Sequence, residues 1–208
     1  LVSRDTPIPD LIDLFATSVQ KGFLVLFGQK VIGLVTVADI NKMPARIYLY
    51  NLIAELETKL AAAIYEHYNG DDNAVLAKLG KTETTETIRA INPSMQTTGV
   101  DIGALQLLTL SDLVNVLAKT RDLFQDIGFR SRNHVEDRLN GIVNYRNNVM
   151  HSVRPLLTTS REVMELRDLI RRAQETISTI DKYLNKRKLG AVPAALLPPD
   201  TDDSHEPD

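Results

Sequence analysis

Between Pro44 and about Lys186, apolar residues recur at steps of three and four rather than two, and that period dictates a helical body. Leu49, Ile53, Leu56, Leu60 and Ile64 make one stripe. Their helix starts at Pro44 and runs to about Tyr68, where Asn69-Gly70-Asp71-Asp72 breaks it. A second helical stretch covers roughly 74 to 91 and stops before Asn92-Pro93. A Ser/Thr/Gly segment follows, to about Gly103. The third helix is predicted from Ser111, its N-cap, to about Ile127, with Leu113, Val116, Leu117 and Leu123 inward. Gly128 separates it from a fourth, about Ser131 to Val153, which Pro155 ends. The fifth, Ser160 to about Lys186, carries Val163, Leu166, Ile170, Ala173, Ile177, Ile180 and Leu184. Alternating steps of that length are a packing seam.

The first 43 residues read differently: strand, helix, strand, strand. Asp5-Thr6-Pro7 is a turn or cap signal, and Leu11, Ile12, Leu14, Phe15 and Val19 lie on a short amphipathic helix. Phe23 to Phe27 and Lys30 to Thr36 are aliphatic, β-branched runs joined by Gly28-Gln29, the signal of a two-residue hairpin. So small a unit is marginal alone and must pack against something. From Gly190 onward the chain is rich in Pro and Asp with little to bury, and it reads as a disordered acidic tail. The expected class is α+β, predominantly α. A β-α-β-β unit (1–43) precedes an antiparallel bundle of about five helices (44–188), then the tail (189–208). No internal repeat is evident.

The formal net charge of −3 argues against a uniformly basic nucleic-acid surface and leaves room for a local basic site. The chain has no cysteine, so disulfides, thiol catalysis and cysteine metal sites are excluded, which fits a reducing, cytoplasmic setting. No apolar run approaches the roughly 18 residues that span a bilayer, and no membrane association is expected. Leu1 is not a methionine, which fits a chain with residues missing upstream.

Two segments carry chemistry. Val31-Ile32-Gly33-Leu34-Val35-Thr36-Val37-Ala38-Asp39 ends a strand and opens a helix. Glycine lets a ligand approach the backbone, threonine and a helix N-terminus can hold a phosphate, and aspartate can accept from ribose hydroxyls. Thr36-x-x-Asp39 is equally a capping-box pair that simply starts a helix. The second segment is Arg146-Asn147-Asn148-Val149-Met150-His151. Its arginine falls on the stripe of Val135, Leu139, Ile142, Val143 and Val149. A guanidinium there is costly to bury unless paired, so it marks either an ion pair or a face that meets a partner chain, an RNA or a nucleotide. His151 adds the side chain that titrates near neutral pH. On an ideal helix Arg146 and His151 lie about 140° and about 7.5 Å apart, so one chain presents an incomplete site that a two-fold dimer could complete.

Elsewhere little competes. His67 reads as a solvated helix end, His134 lies roughly five turns before His151, and His205 is in the tail. These spacings offer no metal-ligand set. Lys182, Lys186, Arg187 and Lys188 suit the dipole at the end of the last helix.

Residues 2 to about 43, with Gly33-x-x-Thr36-x-x-Asp39 at their end, resemble a CBS domain, the module first named for cystathionine β-synthase. That resemblance implies a regulatory or dimerising unit in which Gly33, Thr36 and Asp39 bind an adenine nucleotide such as AMP or ATP. The family works as paired motifs and one is present here, so a second lies upstream or on another chain.

Residues 45 to 187 resemble a HEPN domain, the higher-eukaryote and prokaryote nucleotide-binding family. Its nuclease members carry an arginine, four to six intervening residues and a histidine, often with a polar residue directly after the arginine. Arg146-Asn147-Asn148-Val149-Met150-His151 fits, near the end of the fourth helix. The resemblance implies a homodimeric endoribonuclease needing no metal, in which the RNA 2′-hydroxyl attacks the adjacent phosphate. His151 would move the proton, Arg146 would stabilise charge on the phosphate, and Asn147 would orient either group. A role in stress or phage defence follows from family analogy alone. Relatives paired with nucleotidyltransferase antitoxins often carry tyrosine two residues after the histidine, where this chain has Val153, which argues against that subtype. Two alternatives stay open: a non-catalytic dimerisation module binding nucleotide or RNA, and a structural dimer in which Arg146 pairs with Glu136 or Asp137 of the other chain.

Overall fold

A computed structural model describes residues 1–98 and 103–190, with the backbone alone at 91–98 and 189–190. The expected acidic tail falls almost wholly outside the described residues. What they form is mostly helical, with one small three-stranded sheet.

The sheet comes first. β1 (Val2–Ser3) pairs parallel with β2 (Gly22–Phe27) across helix α1 (Ile8–Thr17), and β2 pairs antiparallel with β3 (Lys30–Thr36). Phe27 faces Lys30, so the loop is Gly28-Gln29 as its composition requires. Gly28 takes φ 59° and Gln29 stays out of the left-handed region, the glycine-first pattern of a type II′ turn. A register shift between Val25 and Leu26 gives β3 one extra residue. Phe15 and Phe23 stack with ring centroids 5.0 Å apart on the inner face, while Leu24, Val31, Ile32 and Leu34 stay exposed. A 3-10 turn, Val37–Asn41, leads within two residues into α2 (Met43–His67).

α2 is the central helix. Its stripe of Leu49, Ile53, Leu56, Leu60 and Ile64 is buried throughout, against α8 (Glu162–Gly190), α5 (Leu110–Lys119) and α7 (Arg132–Met150). Ile12, Phe15, Phe23 and Ile40 of the small unit join this same apolar core, which supplies the packing that so short a segment needs.

The helical body holds more breaks than its periodicity predicts. The stretch expected at 74–91 is two helices, α3 (Asp72–Leu79) and α4 (Glu83–Thr98), because Gly80 leaves the helix at φ 78°. α4 also runs through Pro93 instead of stopping before it; a proline forfeits one intrahelical bond without forbidding the helix. The stretch expected at 111–127 is α5 and α6 (Arg121–Ile127), parted at Thr120. The Thr120 hydroxyl bonds the Val116 carbonyl at 2.8 Å and lies 2.7 Å from the Tyr68 phenol, so the end of α2 holds the corner. The cap of α5 is Thr109 rather than Ser111; Thr109 and Asp112 form a capping box. Ser131, where the sequence reading starts the fourth helix, caps α7 and accepts from the His134 amide at 3.2 Å. α8 begins at Glu162 rather than Ser160. Among the described residues no helix is long and apolar enough to cross a membrane.

His67 departs from its expected solvated role. It is half-buried, its ring meets Tyr68 edge-on, and its Nδ1 is buried with no hydrogen-bond partner. Burial first, then the nearby Arg187 charge, hold the imidazole below its ordinary pKa, with Asp122 and Asp126 opposing. The folded chain therefore disfavours a proton that the unfolded chain accepts. Its stabilising effect is present above about pH 6.5 and is lost as pH falls through the lowered folded value. Between about pH 7.5 and 5.5 the denaturation midpoint of the wild-type chain should fall further than that of His67→Phe, measured by urea unfolding.

Candidate functional site

Arg146, Asn147 and His151 lie along the last turns of α7, and of the three only Arg146 lines the cleft between α7 and α2. Val135, Leu139, Ile142 and Val149 bury the stripe of α7. Arg146 lies on the same line and is nevertheless only half-buried, because this turn of α7 faces a solvent-open cleft of about 130 Å³. Tyr50, Ile53, Ala54 and Glu57 of α2 line it, with Val149 and Met150. Among the described residues the Arg146 guanidinium makes no ion pair, although Glu57 lines the same cleft. Glu136 is held by Arg132 one turn away, at 2.7 Å.

Asn147 and His151 are exposed. His151 is the C-cap of α7, in extended backbone at φ −98° and ψ 101°, with its amide donating to the Asn147 carbonyl at 3.2 Å. The chain leaves the helix there, three residues before the expected end at Val153, so helical angles no longer fix where His151 lies relative to Arg146.

The reason α7 stops at Met150 is a second arginine. A helix end leaves its last carbonyls without donors and carries partial negative charge. Here the side chain of Arg46, in the first turn of α2 and only 7% exposed, fills that end. Its NH1 donates to the carbonyls of Asn148 at 2.6 Å, Val149 at 2.9 Å and His151 at 3.2 Å. Its NH2 donates to Arg154 at 2.6 Å. Two hydrogens on NH1 serve three oxygens, so one is shared. Asn41 grips the chain just beyond. Its Oδ1 accepts from the Leu156 and Leu157 amides at 2.7 and 2.9 Å, and its Nδ2 donates to the Leu157 carbonyl at 3.0 Å. Tyr145 donates its phenol to the Leu156 carbonyl at 2.8 Å, and burial pushes that phenol well above its ordinary pKa.

Sequence reasoning missed Arg46 and Asn41. A signal for Arg46 was present: it stands three residues before Leu49, on the stripe of α2, where a guanidinium must find a partner. Asn41 carries no comparable mark.

Gly33, Thr36 and Asp39 lie on the small unit. Gly33 is exposed, and a Cβ built there would meet nothing within 4 Å. Thr36 and Asp39 engage one another: the Thr36 amide and hydroxyl both donate to Asp39 Oδ2, at 2.6 and 2.8 Å, and Lys42 pairs with Oδ1 at 2.5 Å. Lys42 and then the Thr36 amide hold the Asp39 carboxyl below its ordinary pKa. Oδ2 thus starts the 3-10 turn, the capping arrangement that Thr36-x-x-Asp39 permits, and Oδ1 is held by Lys42 just past the turn's end. Among the described residues no cluster of three His, Asp or Glu could hold a metal ion.

Asp39→Ala should lower stability by about 1 kcal/mol near neutral pH with no nucleotide present. Because the folded carboxyl titrates low, this contribution is present above the ordinary aspartate range and is lost as pH falls through the lowered value. Unfolding of both proteins across acid pH, where their stabilities should converge, checks it. In comparison with known proteins, the chain matches no family model, no curated protein and no solved structure.

Proposed function

We propose that this chain is a homodimeric, metal-independent endoribonuclease whose site is Arg146, Asn147 and His151, with the β-α-β-β unit as its adenine-nucleotide-responsive part. The observation that carries the reading is Arg146. A guanidinium half-buried at a cleft, on a helix stripe, with no ion pair among the described residues, is a cation that the fold leaves available to an anionic ligand. A phosphate is one such ligand.

The chemistry balances within these residues. The RNA 2′-oxygen forms a bond to the adjacent phosphorus as His151 takes its proton. The bond from phosphorus to the 5′-oxygen breaks, and the imidazolium returns the proton to that oxygen. The products are a 2′,3′-cyclic phosphate and a 5′-hydroxyl. Arg146 stabilises the charge that gathers on the phosphoryl oxygens, and Asn147 orients the phosphate or the imidazole.

A dimer is supported by the surface around this cleft. Met43, Ile47 and Tyr50 of α2 are exposed on one side, with Met150 and Val153 at the end of α7 on the other; Val153 is 92% exposed. Exposed apolar groups gathered around a polar site suit a partner, and a two-fold axis through such a surface would bring two copies of the site together. The regulatory part is supported more thinly, by the open approach over Gly33. The capping role of Thr36 and Asp39 counts against nucleotide binding by those side chains and leaves the small unit a dimerising role. The second reading is a non-catalytic dimerisation and nucleotide- or RNA-binding module.

His151→Ala should reduce cleavage of an RNA pool in EDTA by roughly 100- to 10,000-fold, and Arg146→Ala by roughly 100- to 1,000-fold. End analysis should find 2′,3′-cyclic phosphates from the wild-type chain. A stable wild-type dimer that binds RNA without cleaving it, and ignores AMP and ATP, would favour the scaffold.

A further inference from the structure

We infer that Asn41 and Arg46 are positioning residues for His151: from the junction between the small unit and α2, they fix the backbone that carries it. This rests on the ribonuclease reading for its catalytic consequence and on the geometry alone for its structural one.

Seven hydrogen bonds run from these two side chains to the backbone between Asn148 and Leu157, four from Arg46 and three at Asn41. The segment they hold is short of other anchors. Between the end of α7 and the buried pair Leu156 and Leu157, every residue from His151 to Pro155 is exposed. Its side chains therefore do little to fix its path, and the path is set through its carbonyls. His151 lies within the gripped stretch: its own carbonyl accepts from Arg46, and its amide bonds back to Asn147. Arg46 is too buried to meet RNA, so its effect on any substrate passes through this backbone.

Arginine suits the task because a planar guanidinium can address several carbonyls at once, whereas an ammonium is a single point. Asn41 offers acceptor and donor on one planar amide, which the peptide at Leu157 requires. It is also the last residue of the turn that Thr36 and Asp39 start, so the same turn links the Gly33–Asp39 segment to the backbone around His151.

The test uses the full chain with Asn41→Ala, Asn41→Asp and Arg46→Lys. Arg46→Ala is avoided, since it strands buried carbonyls and could prevent folding. Backbone amide exchange is followed at His151 and Arg154, whose N–H groups bond only to backbone carbonyls. Both should exchange faster in Asn41→Ala and Arg46→Lys. For RNA cleavage, kcat should fall by about 10- to 100-fold in those variants with KM nearly unchanged, as expected when a reacting group is misplaced and binding is not. Asn41→Asp keeps the acceptor for two amides but loses the donor to the Leu157 carbonyl, so it should recover kcat only in part. Unchanged exchange at His151 and Arg154, or an unchanged kcat in Arg46→Lys, would overturn the assignment. If the wild-type chain cleaves nothing, the ribonuclease reading fails, and amide exchange alone decides whether the pair fixes this backbone.

Discussion

A buried guanidinium that makes no ion pair among the described residues holds the central junction of this protein together. Arg46 is buried, where an uncompensated charge is among the most costly things a fold can contain. Its compensation is a helix end. Four carbonyls accept from it, and the aligned peptide dipoles of α7 add negative potential where the cation sits. The arrangement differs from a buried salt bridge because only one desolvated ion is present, and its partners would otherwise be orphaned acceptors. Packing of α2 against α7, the end of α7 at Met150, and the path of the chain around to α8 all meet at this one side chain.

Much of the architecture was legible in the order of residues because each signal was local. The two-residue hairpin loop needed only a glycine between two β-branched runs. The start of α2 needed Pro44, and its end needed the Asn69-Gly70 corner. Breaks set by distant partners were not legible. Thr120 parts α5 from α6 with help from Tyr68, a residue 52 positions away, and nothing within the run from Ser111 to Ile127 announces it. The choice of Thr109 over Ser111 as a cap turned on Asp112 lying three residues after Thr109, a spacing that was readable and overlooked.

The same distinction applies at the site. The position of Arg146 on a stripe was visible, and so was the cost that burying it there would carry. The buried arginine turned out to be the other one. Arg46 and Arg146 each lie on an apolar line and each near a helix end, so periodicity alone could not say which would be swallowed. Which of them becomes buried depends on the crossing of α2 and α7: the first turn of α2 abuts the carbonyl end of α7, while one turn further along α2 the two helices leave the cleft that Arg146 faces. Tyr145, one residue from Arg146 and about 100° around the helix from it, bonds the Leu156 carbonyl. Neighbours in sequence thus serve separate purposes, one structural and one open to solvent.

The seven bonds from Asn41 and Arg46 join residues 102 to 116 positions apart in the chain. Contacts at such separation form late, because the chain entropy of closing the loop must be overcome first. On a ribosome, the early part of the protein would wait through the synthesis of about a hundred residues before its acceptors existed, at about 5–20 residues each second. The backbone around His151 would therefore reach its final shape only after every helix but α8 had been made. Timing of this kind is written into the order of the elements.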